Sequence, residues 1–346
     1  MSTAIHSGYL GCSIESWSDE STQLQSWLTQ LRKQAIEHAS TQSLPTRRNE
    51  EWRFTDISPL VHLAYRPSRS DCNLQIADIA HFFLAEAKNR LVFVDGHYAK
   101  HLSALPSASE LIIGNLSNAI TTHSGNLQSH IGRYASIEQN VFTALNTAFL
   151  QDGALIYVPK NTIVSEPIHV LYIATQNEVT NYPRCLLIGE SGSDTTLIED
   201  YVTLQGLPYI TNSVTEISLA TNARTKHIRI QREGAQAFHL ASCAVSLAYA
   251  SHYASVHVSL GAQISRYNLD IHLNDEAAEC TIDGLTLISN QQLSDTHTCI
   301  DHIKPNGTSR QQHKCIVDDA AHAVFNGKII VHPHAQRTNS SQSSRN

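Results

Sequence analysis

At 346 residues, 41% hydrophobic and only 16% charged, the chain can bury the core of one large or two ordinary domains and is too apolar to be disordered throughout. A formal charge of −7 excludes the basic stripe of a nucleic-acid binder, so no nucleic-acid partner is expected. No apolar run is long enough to cross a bilayer, and the N-terminus lacks a basic patch followed by an apolar segment, so neither a membrane span nor a secretory signal is expected.

In chain order, the first element is a helix in which Leu24, Trp27, Leu28, Leu31 and Ala35 recur at helical spacing, with Thr22-x-x-Gln25 as a capping box. A charged stretch around one tryptophan, Pro45 to Asp56, follows. A second helix is expected over 75–89, where Ile76, Ile79, Ala80, Phe83 and Ala87 share a face. Leu91 to Val94 reads as a strand entering a tight Asp95-Gly96 turn, and Ile137 to Leu150 as a third helix. This divides the chain into a mainly helical region over 1–110, a connecting segment with one helix over 111–153, a β core over 154–337 and a polar tail over 338–346.

Beyond about residue 154 the apolar period changes from helical to two. Ile228 and Ile230 alternate with polar residues, as do Val256, Val258 and Leu260; Leu269, Ile271 and Leu273; and Ile282, Leu285 and Leu287. No helical segments intervene, which argues against a doubly wound sheet and leaves a sandwich or a solenoid of stacked coils. Hairpin dipeptides are scarce and the apolar residues are small, which favours a solenoid.

The familiar catalytic signatures fail. Gly327-Lys328 is followed by Ile329 rather than Ser or Thr and lacks the earlier glycine of a phosphate loop; Gly189-Glu190-Ser191-Gly192 reads as a turn. Glu199 and Asp200 are adjacent in a strand-like run and must point to opposite faces, so they form no carboxylate pair. His297, Cys299 and Asp301, spaced by two, share one face of a strand. His313 and Cys315 form a similar pair that a neighbouring strand would bring within reach, making a soft N/S metal site geometrically possible. A small buried cysteine without a ligand role is the simpler alternative. Phe325-Asn326-Gly327-Lys328-Ile329-Ile330-Val331 reads as either an interior strand or a terminal strand whose free edge accepts a partner. The seven cysteines, Cys12, Cys72, Cys185, Cys243, Cys280, Cys299 and Cys315, include no C-x-x-C pair, which fits reduced thiols in the cytoplasm better than disulfides.

Several segments, in order, resemble the SufB/SufD family of iron–sulfur cluster assembly scaffolds. They are Pro45 with Glu51-Trp52-Arg53-Phe54-Thr55; Leu197-Ile198-Glu199-Asp200-Tyr201; Asn212 with Thr215-Glu216; Ile230-Gln231-x-Glu233; Asp301-His302; Ser309-Arg310-Gln311; His313-Lys314; and Val324 through Ile329. The E-W-R-F-T segment sides with the SufD branch. The resemblance implies a helical N-terminal region followed by a right-handed parallel β-helix. It also implies a non-ATPase subunit that pairs with a SufB-like partner through the end of the β-helix and works with a SufC-like ATPase, an iron–sulfur cluster forming transiently between subunits. The compartment implied is the cytoplasm, or the plastid stroma in a photosynthetic eukaryote. The family pattern continues past Arg345-Asn346 into a C-x-H-G-type segment, whose histidine is assigned to cluster assembly, and a C-terminal helical domain with the SufC contact; neither is in this sequence, and a shortened form is expected. Two other readings remain. A carbohydrate-active β-helix lyase or hydrolase would need same-face carboxylates, and a homodimer would use the Phe325–Val331 edge.

Overall fold

The computed structural model describes residues 8–18, 25–70, 72–105, 111–122, 127–138 and 140–346. Alternating residues from Ala154 onward do what a period of two requires: one set fills a narrow lumen and the other faces outward. The chain winds as a parallel β-solenoid of about seven turns, each contributing one strand to each of two sheets.

The first sheet contains β4 (Ile112–Asn115), β5 (Ala154–Val158), β8 (Arg184–Gly189), β10 (Ile210–Leu219), β12 (Phe238–Leu247), β14 (Ile264–Leu273), β16 (Leu293–His302) and β18 (His322–Val331), paired in that order. The short strands β1 (Arg66–Pro67) and β7 (Val179–Asn181) pair with each other, and β7 joins β10. The second sheet runs from β3 (His97–Tyr98) through β2 (Asn89–Val94), β6 (Ile168–Ala174), β9 (Asp194–Thr203), β11 (Arg224–Arg232), β13 (His252–Ser259), β15 (Glu279–Ile288) and β17 (Thr308–Val317) to β19 (Asn339–Arg345). Among the described strands β2–β3 and β4–β5 pair antiparallel, and the first of these is the expected Asp95-Gly96 hairpin, both residues having positive φ.

Left-handed turn residues set the coil length. Asn161, Gly192, Asn222, Ala250, Ala277 and Asn306 all adopt positive φ, and each amide donates to a carbonyl of the coil above: Asn161 to Ser191, Gly192 to Thr221, Asn222 to Tyr249, Ala250 to Glu276, Ala277 to Pro305 and Asn306 to Gln336. Asn and Gly are suited to this geometry, while alanine adopts it at a steric cost. The Gly189–Gly192 segment is one of these turns.

The N-terminal region contains α1 (Gly8–Ser16), α2 (Ser26–Thr41), α3 (Ile76–Ile79), α4 (Leu116–Thr122) and α5 (Val141–Ala148); α1, α2, α4 and α5 form a layer on the outside of the first sheet, while α3 packs outside the second, against β2, β6 and β9. Of the expected capping box, Thr22 lies outside the described residues, as does Leu24; Gln25 precedes α2 without a side-chain cap. The helix expected over 75–89 is a single turn, α3, closed by a reciprocal Gln75–Asp78 capping box and followed by a 3-10 turn over Ala80–Phe82. Packing overrides the helical period there: Ile79 is buried with Val92 and Val94, Phe82 and Phe83 pack against that cluster, and Arg90 lies over the Phe83 ring. The third helix starts later than expected, at Val141, because the Asn140 side chain accepts the Phe142 amide and caps it.

A second correction concerns the last residues. The polar run expected as a tail over 338–346 forms β19, in register with β17 from Thr308↔Asn339 to Lys314↔Arg345. Its residues are exposed throughout, so backbone pairing rather than apolar burial holds it, and no period in the side chains announces it.

The helical layer is fastened by a buried charge. Glu216 faces outward from β10 and accepts the amides of Gly132 (2.9 Å), Tyr134 (2.9 Å) and Ala135 (3.1 Å). Arg184 of β8 meets the same carboxylate at 2.5 Å and donates to Asn146 and Thr147 of α5. Around this clamp Tyr9, Trp52 and Phe142 pack with Ile210, Phe238 and Leu240.

Candidate functional site

The helical layer stops partway along the first sheet, and the segment carrying Glu51, Trp52 and Thr55 forms its last attachment. Trp52 stacks on the Arg266 guanidinium at 4.4 Å, and Arg266 donates to the Glu51 carbonyl at 2.8 Å. Arg266 and the Thr55 hydroxyl both bond the Asp295 carboxylate. His297 lies between two acids, its Nδ1 3.0 Å from Glu51 and its Nε2 3.0 Å from Asp295. Burial pushes the Asp295 carboxyl up, but the His297 hydrogen bond and the Arg266 charge outweigh it and hold the group below the usual carboxylate range.

Between this attachment and the bare outer face of β14, β16 and β18 lies a cleft of about 1120 Å³. Strand register arranges its floor in three rows: Asn268, His297 and Asn326; Asp270, Cys299 and Lys328; His272, Asp301 and Ile330. Asp301 meets His332 at 2.8 Å and His272 at 3.6 Å. Burial raises the Asp270 carboxyl despite nearby His272. Burial and the charge of Asp270 push the Cys299 thiol up to about 11, against the opposing pull of Lys328. The thiol is therefore protonated at neutral pH and a poor nucleophile. Alkylation of Cys299 followed by peptide mass spectrometry should show a rate still climbing above pH 9 and levelling only near 11. A plateau near pH ~8.5, the value of an unperturbed thiol, would contradict this environment.

Of the residues singled out from sequence, His297, Cys299 and Asp301 do share one face, the outward face of β16. His313 and Cys315 do not join them. Each coil has two strands, so the strand that follows β16 in sequence, β17, belongs to the opposite sheet. The register puts His313 beside Gly284 and Cys315 beside Thr286, and His313 points into the lumen, on the far side of the wall from Cys299. The five residues therefore form two separate sets. Among the described residues no group of three or more His, Cys, Asp and Glu side chains converges closely enough to hold a metal ion.

Phe325 to Val331 lie on β18, which pairs with β16 and stands last in the first sheet among the described residues. Val331, Ile316 and Val317 are exposed at this end of the solenoid, as is Leu287 on β15.

Sequence reasoning missed the polar lumen. Glu199 points inward to His227 (2.8 Å), Thr215 and Tyr201, and the other ring nitrogen of His227 meets Tyr253 at 2.9 Å. Asp200 points outward to Arg232, as opposite faces require. Deeper in the lumen Glu233 lies 2.5 Å from His239 Nδ1 and accepts from Thr211, while Arg229 contacts His239 Nε2. Burial lowers the proton affinity of His239 despite Glu233, and a donor at Nε2 places its one hydrogen on Nδ1, toward the carboxylate. These inward polar residues alternate like apolar ones, so their period was visible but their direction was not.

No helix among the described residues is long and apolar enough to cross a membrane. Two family models match: the SufBD protein N-terminal region over residues 16–170, and the SUF system FeS cluster assembly SufBD core domain over residues 172–346. The chain is 36% identical over 333 residues to an iron–sulfur cluster assembly SufBD family protein of Synechocystis sp., covering 92% of this chain and 73% of the relative. It is 28% identical over 320 residues to the iron–sulfur cluster assembly protein SufD of Escherichia coli, covering 91% and 72%. A chloroplastic Arabidopsis thaliana protein, ABCI7, is 29% identical over 333 residues, covering 92% and 68%. With both domain models matched in order along a β-solenoid carrying a helical N-terminal layer, the chain belongs to the SufBD family of iron–sulfur cluster assembly proteins.

Proposed function

We propose that this protein is a non-ATPase scaffold subunit of an iron–sulfur cluster assembly complex, with no complete reaction of its own. It pairs with a SufB-like subunit through the β18 end of its solenoid and works with a SufC-like ATPase, in the cytoplasm or the plastid stroma. The iron–sulfur cluster is cargo, formed transiently and shared with the partner. The observation that carries this reading is the match of both SufBD domain models in order along the chain, with exposed aliphatic side chains (Val331, Ile316, Val317 and Leu287) gathered at the β18 end of the solenoid. A partner strand laid beside β18 would take main-chain hydrogen bonds from it, and the side chains there would supply specificity. The cleft floor with Cys299, Asp301 and Lys328 adjoins β18, so it would lie beside the incoming subunit.

Co-purification with the cognate SufB-like and SufC-like subunits tests the reading. Ile329→Asp combined with Val331→Asp is expected to abolish capture of the SufB-like subunit while the variant stays folded, because each places an unpaired carboxylate in the contact. Retention of the partner by the doubly charged, folded variant would refute the assigned interface. A self-associated form that the same pair of substitutions converts to monomer would place the edge in a homodimer instead.

A further inference from the structure

A strand that walls a core normally turns its apolar residues inward and its polar residues to water. Strands β11 and β13 do the reverse. The inward set of β13 is Tyr253, Ser255, His257 and Ser259, all buried, while Val256, Val258 and the following Leu260 point outward. On β11 the buried inward residues are Thr225, His227, Arg229 and Gln231, and Ile228 and Ile230 point outward. A slip of one residue would bury the aliphatic set instead. The lumen holds the strands against that slip, because His227 is bonded to Glu199 and Arg229 to His239.

Register gathers these outward residues into one patch: Ile228 lies beside Val256, and Ile230 beside Val258, which in turn neighbours Leu285 of β15. Leu260 and Leu285 are 37% and 36% exposed, and the four β-branched residues are half-buried. None of the six joins a buried apolar cluster among the described residues. The layer around α3 ends short of them, at Arg232, whose guanidinium lies over the Phe82 ring. On the first sheet, by contrast, the outward positions of β14 and β16 carry Asn268, Asp270, Cys299 and Asp301, as a wall facing water should. A contiguous aliphatic face on one wall alone marks an interaction surface.

The charges around the patch select what covers it. Lys226 and Arg310 stand in one cross-strand row along its border, and Lys314 lies beside Leu285. All three are exposed, and none has a carboxylate partner among the described residues. Against them stand Asp283, beside Val256, and Glu279, which meets His252 at 3.4 Å. A second copy of the chain would set cation against cation. A membrane is a poor fit, because the six side chains lie on a pleated sheet and include no Trp or Phe to enter the headgroup region. Layered domains cover such a sheet face with helices. We propose that the outer face of β11, β13 and β15 docks an amphipathic helix of a partner protein, its aliphatic stripe flanked by Asp and Glu. This surface lies on the second sheet and stands independently of the pairing assigned to β18.

The test is fluorescence anisotropy of two labelled synthetic helices titrated with the full chain. The helices share a leucine stripe, flanked by glutamate in one and by lysine in the other. The glutamate-flanked helix should bind at least roughly tenfold more tightly, and added salt should narrow the gap. Val256→Thr with Val258→Thr keeps shape and β-branching, so this variant should fold and bind about tenfold more weakly. Lys226→Glu with Arg310→Glu should reverse the preference between the two helices. Ile329→Asp with Val331→Asp should bind the glutamate-flanked helix as the parent chain does. No binding of that helix, equal binding of both, or unchanged affinity in the folded valine variant would overturn the proposal. So would capture by phosphatidylserine vesicles, or a dimer that the valine variant dissolves, with neither helix bound; these would assign the face to a membrane or to a second copy.

Discussion

Replacing Glu216 by alanine should destabilise the protein by at least about 3–5 kcal/mol, the cost of stranding one member of a buried ion pair. Arg184 and Glu216 are 1% and 0% exposed, so neither charge can turn to water when its partner is removed. The carboxylate also accepts three amides from the Gly132–Ala135 segment, and each would be left without a partner at an added cost. Because these groups join the helical layer to β8 and β10, loosening of that layer should accompany the loss of stability. Chemical denaturation of Glu216→Ala, Arg184→Ala and the double variant measures this. The double variant should cost clearly less than the sum of the singles, since removing both charges leaves none stranded. Additive losses would mean that the two side chains act separately.

Acid should be the second large perturbation. Glu199, Glu233, Asp200 and Asp295 are all held below the usual carboxylate range. In each case burial pushes the group up and specific partners more than offset it. They are His227 and Thr215 for Glu199, His239 and Thr211 for Glu233, His169 and Arg232 for Asp200, and His297 and Arg266 for Asp295. A carboxyl with a depressed folded-state pKa adds stability above its unfolded value, near 3.8 for Asp and 4.5 for Glu, and that stability is lost as pH falls through the folded value. Stability should therefore begin to fall below about pH 6.5, where the unfolded chain protonates histidines that burial keeps neutral in the fold (His239, His257 and His313), and drop more steeply below about pH 4.5, by several kcal/mol in total. Glu233→Gln should be less stable at neutral pH and show a shallower acid slope. An unchanged slope in that variant, read from denaturation midpoints across the pH series, would remove Glu233 from the set.

Much of the scaffold was legible because a strand's period survives whatever residues carry it. In β14, for instance, Leu269, Ile271 and Leu273 fall on the inward face as their spacing requires. Likewise His297, Cys299 and Asp301 were placed on one face correctly. Three things were hidden for physical reasons. The sheet to which a strand belongs depends on the coil, so His313 was set beside the wrong strand. The coil length depends on left-handed turns, and Ala250 and Ala277 occupy that conformation without the Asn or Gly that would advertise it. The last strand, β19, buries no side chain and carries no period at all. In the site, the clasp of Trp52, Glu51 and Thr55 on Arg266, Asp295 and His297 joins residues more than two hundred positions apart, a pairing that no local pattern encodes.

Hydrogen–deuterium exchange of this chain, alone and with a SufB-like subunit, tests the central claim most directly. If the partner adds to β18, amides of Phe325 to Val331 should exchange more slowly in the complex, while the buried strands β10 and β12 remain unchanged. Binding that leaves the β18 amides exchanging at the rate of the free protein would contradict the account.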